Sequence, residues 1–195
     1  MTSKAKPPVA TIATGKVLHR VHGSSVKARW YGRKDASWRW DDPAGVFGVL
    51  YLGKTLVGPF AETLLRAPKD RDILWDRVQQ KRAATFTTTR PLKLAKLHGE
   101  GLAWFETTAA AIAADVGPTG AASAYATPQA IAAHVHGQTA LDGIQYRSRF
   151  DNDELCVALF ERADAALVLN GEGDPIDKAW VKKTLTSRGY KLIEL

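Results

Sequence analysis

The sequence predicts an α+β fold, a single domain with mixed central sheets and flanking helices. Residues 144–150 alternate apolar and polar side chains, which is typical of a half-buried strand. Residues 16–22 are also predicted to be a strand, with Val17, His19 and Val21 on one face and Leu18, Arg20 and His22 on the other. Residues 46–52 are apolar on both faces, as in a strand at the centre of a sheet. Residues 57–65 carry apolar side chains at helical spacing, with Pro59 in the first turn. Because strands and helices follow one another without regular βαβ alternation, α+β is the class that fits best.

The remaining elements are predicted from the same patterns. Residues 86–97 alternate as one or two strands that break at Pro91. Helices are predicted over residues 102–115 and 128–136, joined by a loop rich in Gly, Ala and Thr around Gly117. The later part of the chain predicts strands over 155–160 and 165–169, a helix over 175–187 and a last strand over 191–195.

Length and composition indicate one globular unit. The 195 residues, 45% of them hydrophobic, are enough for one domain with a full core. Residues 1–15 are polar and contain proline, which predicts a flexible N-terminal arm followed by a domain over residues 16–195. The N-terminus lacks the apolar stretch of a signal peptide, and no run approaches the ~18 apolar residues of a membrane helix. We therefore expect a soluble, cytoplasmic protein that makes no membrane contact.

Charge and cysteine content narrow the partners and cofactors. Lysine and arginine number 27 against 20 acidic residues, a net charge of +7, which favours phosphate-bearing ligands, nucleic acid or an acidic protein as partner. The single cysteine, Cys156, excludes an internal disulfide and a Cys-based zinc site. His134 and His136 lie two residues apart in a predicted helix, where their side chains diverge. The sequence predicts no metal site.

Residues 48–55 match the phosphate-loop pattern G-x-x-x-x-G-K-[ST]. That loop must be open, so that its backbone N–H groups surround the phosphates. Here the four intervening residues are Val, Leu, Tyr and Leu, which prefer an extended, buried strand. A phosphate loop follows its strand, whereas this pattern occupies the strand itself. We interpret the match as accidental and do not expect an ATPase or GTPase.

Residues 27–40 combine aromatic and cationic side chains. The set comprises Trp30, Tyr31, Trp38 and Trp40 with Arg29, Arg33, Lys34 and Arg39. Flat rings beside guanidinium groups suit a ligand that carries both a heteroaromatic ring and phosphates. They equally suit single-stranded nucleic acid, whose bases stack over a charged groove. A third interpretation is an ordinary cluster at the edge of the core, with long cationic stems covering the tryptophan faces.

Two polar residues lie beside apolar patterns. Glu62 is off the apolar stripe of its predicted helix, and Arg66 four residues later makes a solvated surface ion pair the simplest interpretation. Ser148 shares a strand face with Ile144 and Tyr146, so its hydroxyl is either hydrogen-bonded in the core or directed into a pocket. Neither residue identifies a site by itself.

Several segments, taken together, resemble a known family. They are His19-Arg20-Val21, Trp38-Arg39-Trp40, the run from Gly45 to Leu52, Phe60-Ala61-Glu62-Thr63-Leu64 and Gly143-Ile144-Gln145-Tyr146-Arg147-Ser148. Their order and spacing over residues 16–170 resemble the RES family, named for its Arg, Glu and Ser, which comprises bacterial toxins paired with Xre-type antitoxins. The chain departs from the commoner Gly-Gly-Arg-Trp-Asn form, with residues 36–41 reading Ala-Ser-Trp-Arg-Trp-Asp.

The resemblance implies a fold like that of ADP-ribosylating toxins and NAD+ as the substrate, with no metal. It assigns Arg20, Glu62 and Ser148 as catalytic, and Arg20, Tyr31, Arg39, Tyr51 and Ser148 as residues that bind NAD+. The residue types suit cleavage of the nicotinamide–ribose bond, because a carboxylate stabilises the oxocarbenium-like ribose and arginine matches a pyrophosphate. The tyrosines would stack on nicotinamide or wall the pocket, and the serine hydroxyl would bond ribose or phosphate.

The resemblance also implies an acceptor and a partner. We favour a protein mono-ADP-ribosyltransferase acting on a host protein, since residues 27–40 present more aromatic and cationic surface than NAD+ alone needs. The alternative is an NAD+ phosphorylase or glycohydrolase that depletes NAD+. The expected partner is a cognate Xre-type antitoxin, with an acidic segment meeting the +7 surface. A non-catalytic nucleic-acid-binding module is the remote alternative.

Overall fold

The computed structural model describes residues 6–67, 69–113 and 125–194. The described strands are β1 (Val9–Ile12), β2 (Val17–Gly23), β3 (Val49–Gly53), β4 (Asp72–Leu74), β5 (Lys81–Thr88), β6 (Leu92–Leu97), β7 (Gly143–Arg147), β8 (Leu155–Phe160), β9 (Leu167–Leu169), β10 (Asp174–Pro175) and β11 (Lys191–Ile193). The described α-helices are α1 (Val57–Leu64), α2 (Trp75–Gln79), α3 (Glu100–Trp104), α4 (Ala109–Ile112), α5 (Ala126–Gln138) and α6 (Lys178–Thr186). A 3-10 helix spans Glu161–Ala166.

Within the described ranges, nine strands form one sheet in the order β1-β6-β7-β8-β3-β2-β5-β10, and β9 also pairs with β5. Its strand pairs are antiparallel except β6 with β7, which is parallel. Strands β4 and β11 form a separate parallel pair. This mixed sheet with helices packed on it confirms the predicted α+β class.

The central strands alternate their side chains between two hydrophobic clusters. Along β8, Cys156, Ala158 and Phe160 join one cluster, and Val157 and Leu159 join the other. A strand that is buried on both faces reads as a continuous apolar run, because its side chains point alternately to opposite sides. A third cluster is formed largely by the apolar faces of α1 and α6.

Strand β3 confirms the interpretation of the phosphate-loop pattern. Residues 49–53 are a strand in the middle of the sheet, and Val49, Leu50 and Leu52 are buried. The strand is paired along its whole length with β8, so its backbone N–H groups do not surround a phosphate. The match to the pattern is therefore accidental.

Strands β2 and β3 separate soon after they meet. Strand β2 pairs with β5 along all seven of its residues, but with β3 only at His19 and Gly53. Continued antiparallel pairing would have joined residues 20–23 to residues 49–52. The two strands diverge instead. Their facing edges are unpaired from there on, and residues of both strands line a cleft between them.

The N-terminal segment differs from the expectation. Val9–Ile12 forms β1, antiparallel to β6, so the prediction of a flexible arm over residues 1–15 is wrong for these residues. Residues 1–5 lie outside the described ranges. Strand β1 buries only Ile12, at 4% exposure, so its association with the sheet rests on backbone hydrogen bonds that leave no apolar pattern in the sequence.

Other differences concern short elements. The helix predicted over 102–115 is two helices, α3 and α4, because Glu106 has a positive φ of 53° and the Thr108 side chain accepts from Ala111 N to begin α4. Residues 114–115 and the loop around Gly117 lie outside the described part of the chain. The strand predicted over 165–169 is β9 preceded by a 3-10 helix. Elements β4, α2 and β10 were not predicted, since each has five residues or fewer.

None of the helices in the described ranges is both long and apolar enough to cross a bilayer.

The β7–β8 contact requires glycine at position 143. A Cβ atom at Gly143 would lie 2.2 Å from the carbonyl oxygen of Ala158, whereas a Cβ at Gly137 in α5 meets nothing within 4 Å. We expect Gly143→Ala to lower the free energy of unfolding by ~1–3 kcal/mol or more, as overpacking does. Gly137→Ala is the matched control and should raise it by ~0.4–1 kcal/mol. Chemical denaturation measures both, and equal stabilities would contradict the packing described here.

Candidate active site

Where β2 and β3 separate, the protein has a cleft with a volume of about 340 Å³. This volume is within the range of small-molecule sites. Its walls come from β2, β3, α1, the loop over residues 30–40 and residues around the β7–β8 turn. Of the described residues that line it, five are cationic and one is acidic: Arg20, Arg39, Arg66, Lys81 and Arg149, with Glu62. The cleft therefore offers an anion-binding environment around a single carboxylate.

Arg20 bridges the gap between the two diverging strands. Its Nη1 donates to the carbonyl oxygen of Tyr51 at 3.3 Å, across the opening from β2 to β3. The side chain is 7% exposed, and burial lowers the pKa of Arg20 to about 10, so the guanidinium stays charged at neutral pH. Its Nε has no hydrogen-bond partner among the described residues. Arg20 thus holds a desolvated positive charge with a donor unfilled at the cleft wall.

The Tyr51 hydroxyl anchors the loop that precedes β3. It accepts from Trp40 N at 3.0 Å and donates to Asp41 Oδ1 at 3.2 Å. The other oxygen of Asp41 accepts from Trp38 N at 3.0 Å. Burial raises the pKa of Asp41 and, together with the negative charge of Asp41, raises the pKa of Tyr51 well above its ordinary value. Tyr51 lines the cleft, as its proposed role requires, and also holds the backbone of its neighbours.

Arg39 and Glu62 form an ion pair inside the cleft. The Arg39 Nη2 and Glu62 Oε2 atoms are 3.5 Å apart, and the guanidinium lies 5.6 Å from the ring centre of Tyr146. Glu62 does not form the surface pair with Arg66 that its spacing suggested, because Arg66 lies over the Trp38 ring at 5.1 Å. The carboxylate is thus held within the cleft, with its side chain 21% exposed.

Ser148 lies behind the carboxylate and is 1% exposed. Its Oγ donates to Glu62 Oε1 at 2.8 Å and accepts from Phe150 N at 3.2 Å. The same carboxylate oxygen accepts from Arg149 N at 3.1 Å. Ser148 is not among the described residues that line the cleft, and the structure places its hydroxyl against Glu62. The expected bond of this hydroxyl to ribose or phosphate stays a prediction.

Tyr31 makes its contacts with residues outside the described lining of the cleft. Its hydroxyl donates to Asp164 Oδ1 at 2.8 Å, and its ring packs against a hydrophobic cluster on the sheet. Its backbone carbonyl accepts from Val49 N at 2.7 Å. Tyr31 is absent from the described lining, so its expected role of stacking on nicotinamide or walling the pocket has no support from these contacts and stays a prediction. The mixture of aromatic and cationic side chains over residues 27–40 does not indicate which of the rings line a cleft.

Gln129 of α5 supports the site from a distance and was missed in the sequence. Its Nε2 donates to the carbonyl oxygens of Ala36 at 2.7 Å and Trp38 at 3.0 Å, and its side chain is buried. This loop includes Lys34 and Ala36 at positive φ of 58° and 57°, a conformation that non-glycine residues adopt with strain. No local signal marks Gln129, since its partners lie more than ninety positions earlier in the chain.

The charges of its lining residues define what the cleft can bind. Five cationic side chains and one carboxylate line it among the described residues, which favours an anion. Arg20 Nε, Arg39 Nε and Trp40 Nε1 belong to lining residues and have no hydrogen-bond partner in the described part of the chain, but these atoms themselves are buried. Across the described ranges, no group of three or more His, Cys, Asp or Glu side chains could hold a metal ion. The arrangement suits an anionic ligand rich in acceptor oxygens.

Comparisons with known families and solved structures identify the family and the fold. The family model of the RES domain matches residues 17–179, and the chain belongs to the RES domain family. Among solved structures, it is similar to a chain of the crystal structure of the M. tuberculosis MbcT–MbcA toxin–antitoxin complex. The TM-score is 0.63 at 15% sequence identity, over 90% of this chain and 92% of that chain, which establishes a shared fold. A comparison with curated proteins gives no match.

The buried tyrosines predict a pH response. Burial raises the pKa of Tyr31, Tyr51 and Tyr146, and the hydrogen bond to Asp164 adds to the effect at Tyr31. The unfolded chain releases these protons near the ordinary tyrosine pKa of about 10, while the folded chain keeps them. Their contribution to stability is therefore complete below that pH and falls as pH rises above it. The lowered pKa of Arg20 makes stability rise with pH in the same range, but Arg20 is one group and the tyrosines are three.

Ultraviolet titration of phenolate absorbance measures this difference. At about pH 11, we expect Tyr51→Phe to lower the signal of the denatured chain by one tyrosine and to leave that of the folded chain unchanged. A folded-state signal that also falls by one tyrosine would show that Tyr51 ionises normally and is not buried against Asp41.

Proposed function

We propose that this protein is the toxin of a bacterial toxin–antitoxin pair and cleaves NAD+ at the nicotinamide–ribose bond. The observation that carries the proposal is the cleft, in which an anchored carboxylate is paired with Arg39 and shares the described lining with four further cationic side chains. NAD+ matches both features, since its pyrophosphate supplies acceptor oxygens and its ribose develops positive charge on cleavage. Membership of the RES domain family and the fold shared with a toxin–antitoxin complex support the same conclusion.

The chemistry follows from the charges in the cleft. When the bond between ribose C1″ and the nicotinamide nitrogen breaks, its electron pair moves onto that nitrogen, and the cationic ring leaves as neutral nicotinamide. The ribose becomes oxocarbenium-like, and the Glu62 carboxylate stabilises that charge. A nucleophile then attacks C1″ and gives up its proton. The leaving group needs no protonation, which fits a site with one carboxylate among the described lining residues.

Each side chain takes the role that its position allows. Arg20, with Arg39, would bind the pyrophosphate, because both arginines line the cleft and a guanidinium matches the geometry of a pyrophosphate. Substrate binding would also compete for Arg39 with its 3.5 Å ion pair to Glu62. Tyr51 forms part of the wall. Ser148 acts through Glu62, by holding one carboxylate oxygen so that the other faces the cleft.

Two kinds of reaction for the ADP-ribose group have support: transfer to a protein, and phosphorolysis or hydrolysis. Transfer to a protein is favoured by the exposed cations Lys27 and Arg33 beside the cleft loop. Phosphorolysis or hydrolysis is favoured because Trp30 and Trp38 line the cleft and Trp40 is fully buried, so the aromatic surface of this segment serves the substrate site. Labelled NAD+ added to cell lysate separates them: a labelled protein band supports transfer, and free ADP-ribose or its 1″-phosphate supports degradation.

The proposed partner is an Xre-type antitoxin that covers the cleft, with an acidic segment opposite the +7 surface. The alternative of a nucleic-acid-binding module has less support, because such a module needs a row of exposed rings along a charged groove. Trp40 and Arg39 of the aromatic segment are buried, which leaves Trp30 and Trp38 as its exposed indoles.

Glu62→Gln tests the carboxylate. We expect the variant to fold and to lose roughly 10²–10³-fold in NAD+ cleavage, as removal of one preorganised electrostatic group does. Glu100→Gln is the matched control, which should keep NAD+ cleavage because this exposed carboxylate pairs with Lys96 outside the described lining. Nicotinamide release measures both. Full turnover by a folded Glu62→Gln variant would exclude the proposed mechanism.

Ser148→Ala tests positioning as distinct from substrate contact. Loss of one hydrogen bond to a charged group costs ~1.5–3 kcal/mol, so we expect kcat to fall by roughly 10–150-fold. KM for NAD+ should change by less than about threefold, because Ser148 does not line the cleft. Steady-state kinetics gives kcat and KM for the variant, and its melting temperature checks that it is folded. A rise in KM with unchanged kcat would instead place the hydroxyl on the substrate.

A further inference from the structure

The cleft has a second end, away from Glu62. It lies where β2 finishes, and we call it the Trp30 end; its residues are His22, Gly23, Val26, Trp30 and Lys81. Lys81 belongs to it because β5 begins opposite Gly23 in the register of the two strands. Arg20 precedes this end on β2 and reaches across to Tyr51. A ligand that spans the cleft from Glu62 past Arg20 therefore extends toward Trp30.

Trp30 offers a ring face at this end. Its side chain is 36% exposed, whereas Trp40 and Tyr146, which also line the cleft, are 0% and 2% exposed. The other exposed indole, Trp38, has the Arg66 guanidinium over its ring, and no such cation covers Trp30 within the described residues. A partly exposed indole at a cleft wall is a stacking surface for a flat heteroaromatic ring.

The polar atoms around Trp30 are largely occupied. His22 Nδ1 lies 2.8 Å from Val26 O and 3.0 Å from Gly23 O, and Nε2 lies 3.0 Å from Glu172 O. Val26 N donates to Gly23 O at 3.0 Å. Lys81 brings a mobile point charge, without the fixed fork that reads a base edge. At this end the two His22 nitrogens and Val26 N are thus already bonded to the protein's own backbone and are not left for the edge of a base.

We infer that the Trp30 end binds the second nucleoside of a nicotinamide dinucleotide by stacking, and that it accepts different purines because it does not read the base edge. This inference rests on the proposed function, which places the nicotinamide ribose at Glu62 and the pyrophosphate at Arg20. Stacking tolerates every base, since each has a π face. A site built on hydrogen bonds to the base would reject an altered base by ~10⁴–10⁵-fold.

The kinetic test compares NAD+ with its hypoxanthine analogue and with nicotinamide mononucleotide, which lacks the second nucleoside. The wild-type protein should cleave NAD+ and the hypoxanthine analogue with kcat/KM within about threefold, since both purines stack alike. Trp30→Ala should lower kcat/KM for NAD+ by roughly 5–150-fold, the worth of one base–aromatic stack, and leave the mononucleotide within about threefold. Trp30→Phe should retain most of the NAD+ activity.

Val168→Ala, at an exposed position of β9 outside the described lining, is the control for surface substitution. Two results would overturn the inference: a loss of more than about 30-fold with the hypoxanthine analogue, which indicates edge reading, or an equal loss of NAD+ and mononucleotide cleavage in Trp30→Ala.

A separate binding measurement distinguishes failure of this inference from failure of the proposed function. Calorimetry with AMP and IMP should give similar affinities for the wild-type protein, and both should be lost in Trp30→Ala. If the wild-type protein cleaves no NAD+ but binds AMP through Trp30, the proposed function fails and the inference stands. If it cleaves NAD+ and Trp30→Ala leaves AMP binding unchanged, the inference fails and the proposed function stands.

Discussion

The site depends on the separation of β2 from β3 and on the buried guanidinium of Arg20 that spans the opening. A sheet that stayed paired would bury its backbone groups in a ladder and leave no room for a ligand. Here the Tyr51 carbonyl, released from strand pairing, accepts from the Arg20 side chain instead. The charge is held out of water, which is costly unless an anion offsets it. The structure is therefore arranged around a positive charge that an anionic ligand would stabilise.

The carboxylate of Glu62 lines the same cleft as Arg20, and three parts of the chain orient this carboxylate. Helix α1 carries it, the segment after β7 supplies the Ser148 hydroxyl and the Arg149 amide, and the loop before β3 supplies Arg39. That loop is in turn held by Tyr51, Asp41 and, from α5, Gln129. Groups preorganised in this way need little rearrangement when charge develops on a substrate. Precision at Glu62 thus comes from contacts distributed over the whole domain.

Apolar periodicity predicted most of the fold. It identified β2, β3, β8 and α1 closely, because each of them buries side chains at the spacing of its own geometry. It missed β1, which joins the sheet edge through backbone hydrogen bonds and buries one side chain. It also merged α3 with α4, since the break depends on a positive φ at Glu106 that composition does not signal.

For the site, the sequence by itself determined the residue types: a basic chain, an arginine on an early strand, a glutamate off the apolar stripe of a helix and a serine on a predicted late strand, which the structure ends one residue before Ser148. Only the tertiary structure decided what each side chain touches. It placed Ser148 against Glu62, turned Tyr31 toward Asp164 and brought Gln129 to a loop ninety residues away. The physical reason is that these contacts join segments distant in the chain, where the direction of a side chain follows from how strands diverge and loops are pinned, and no local pattern encodes that direction.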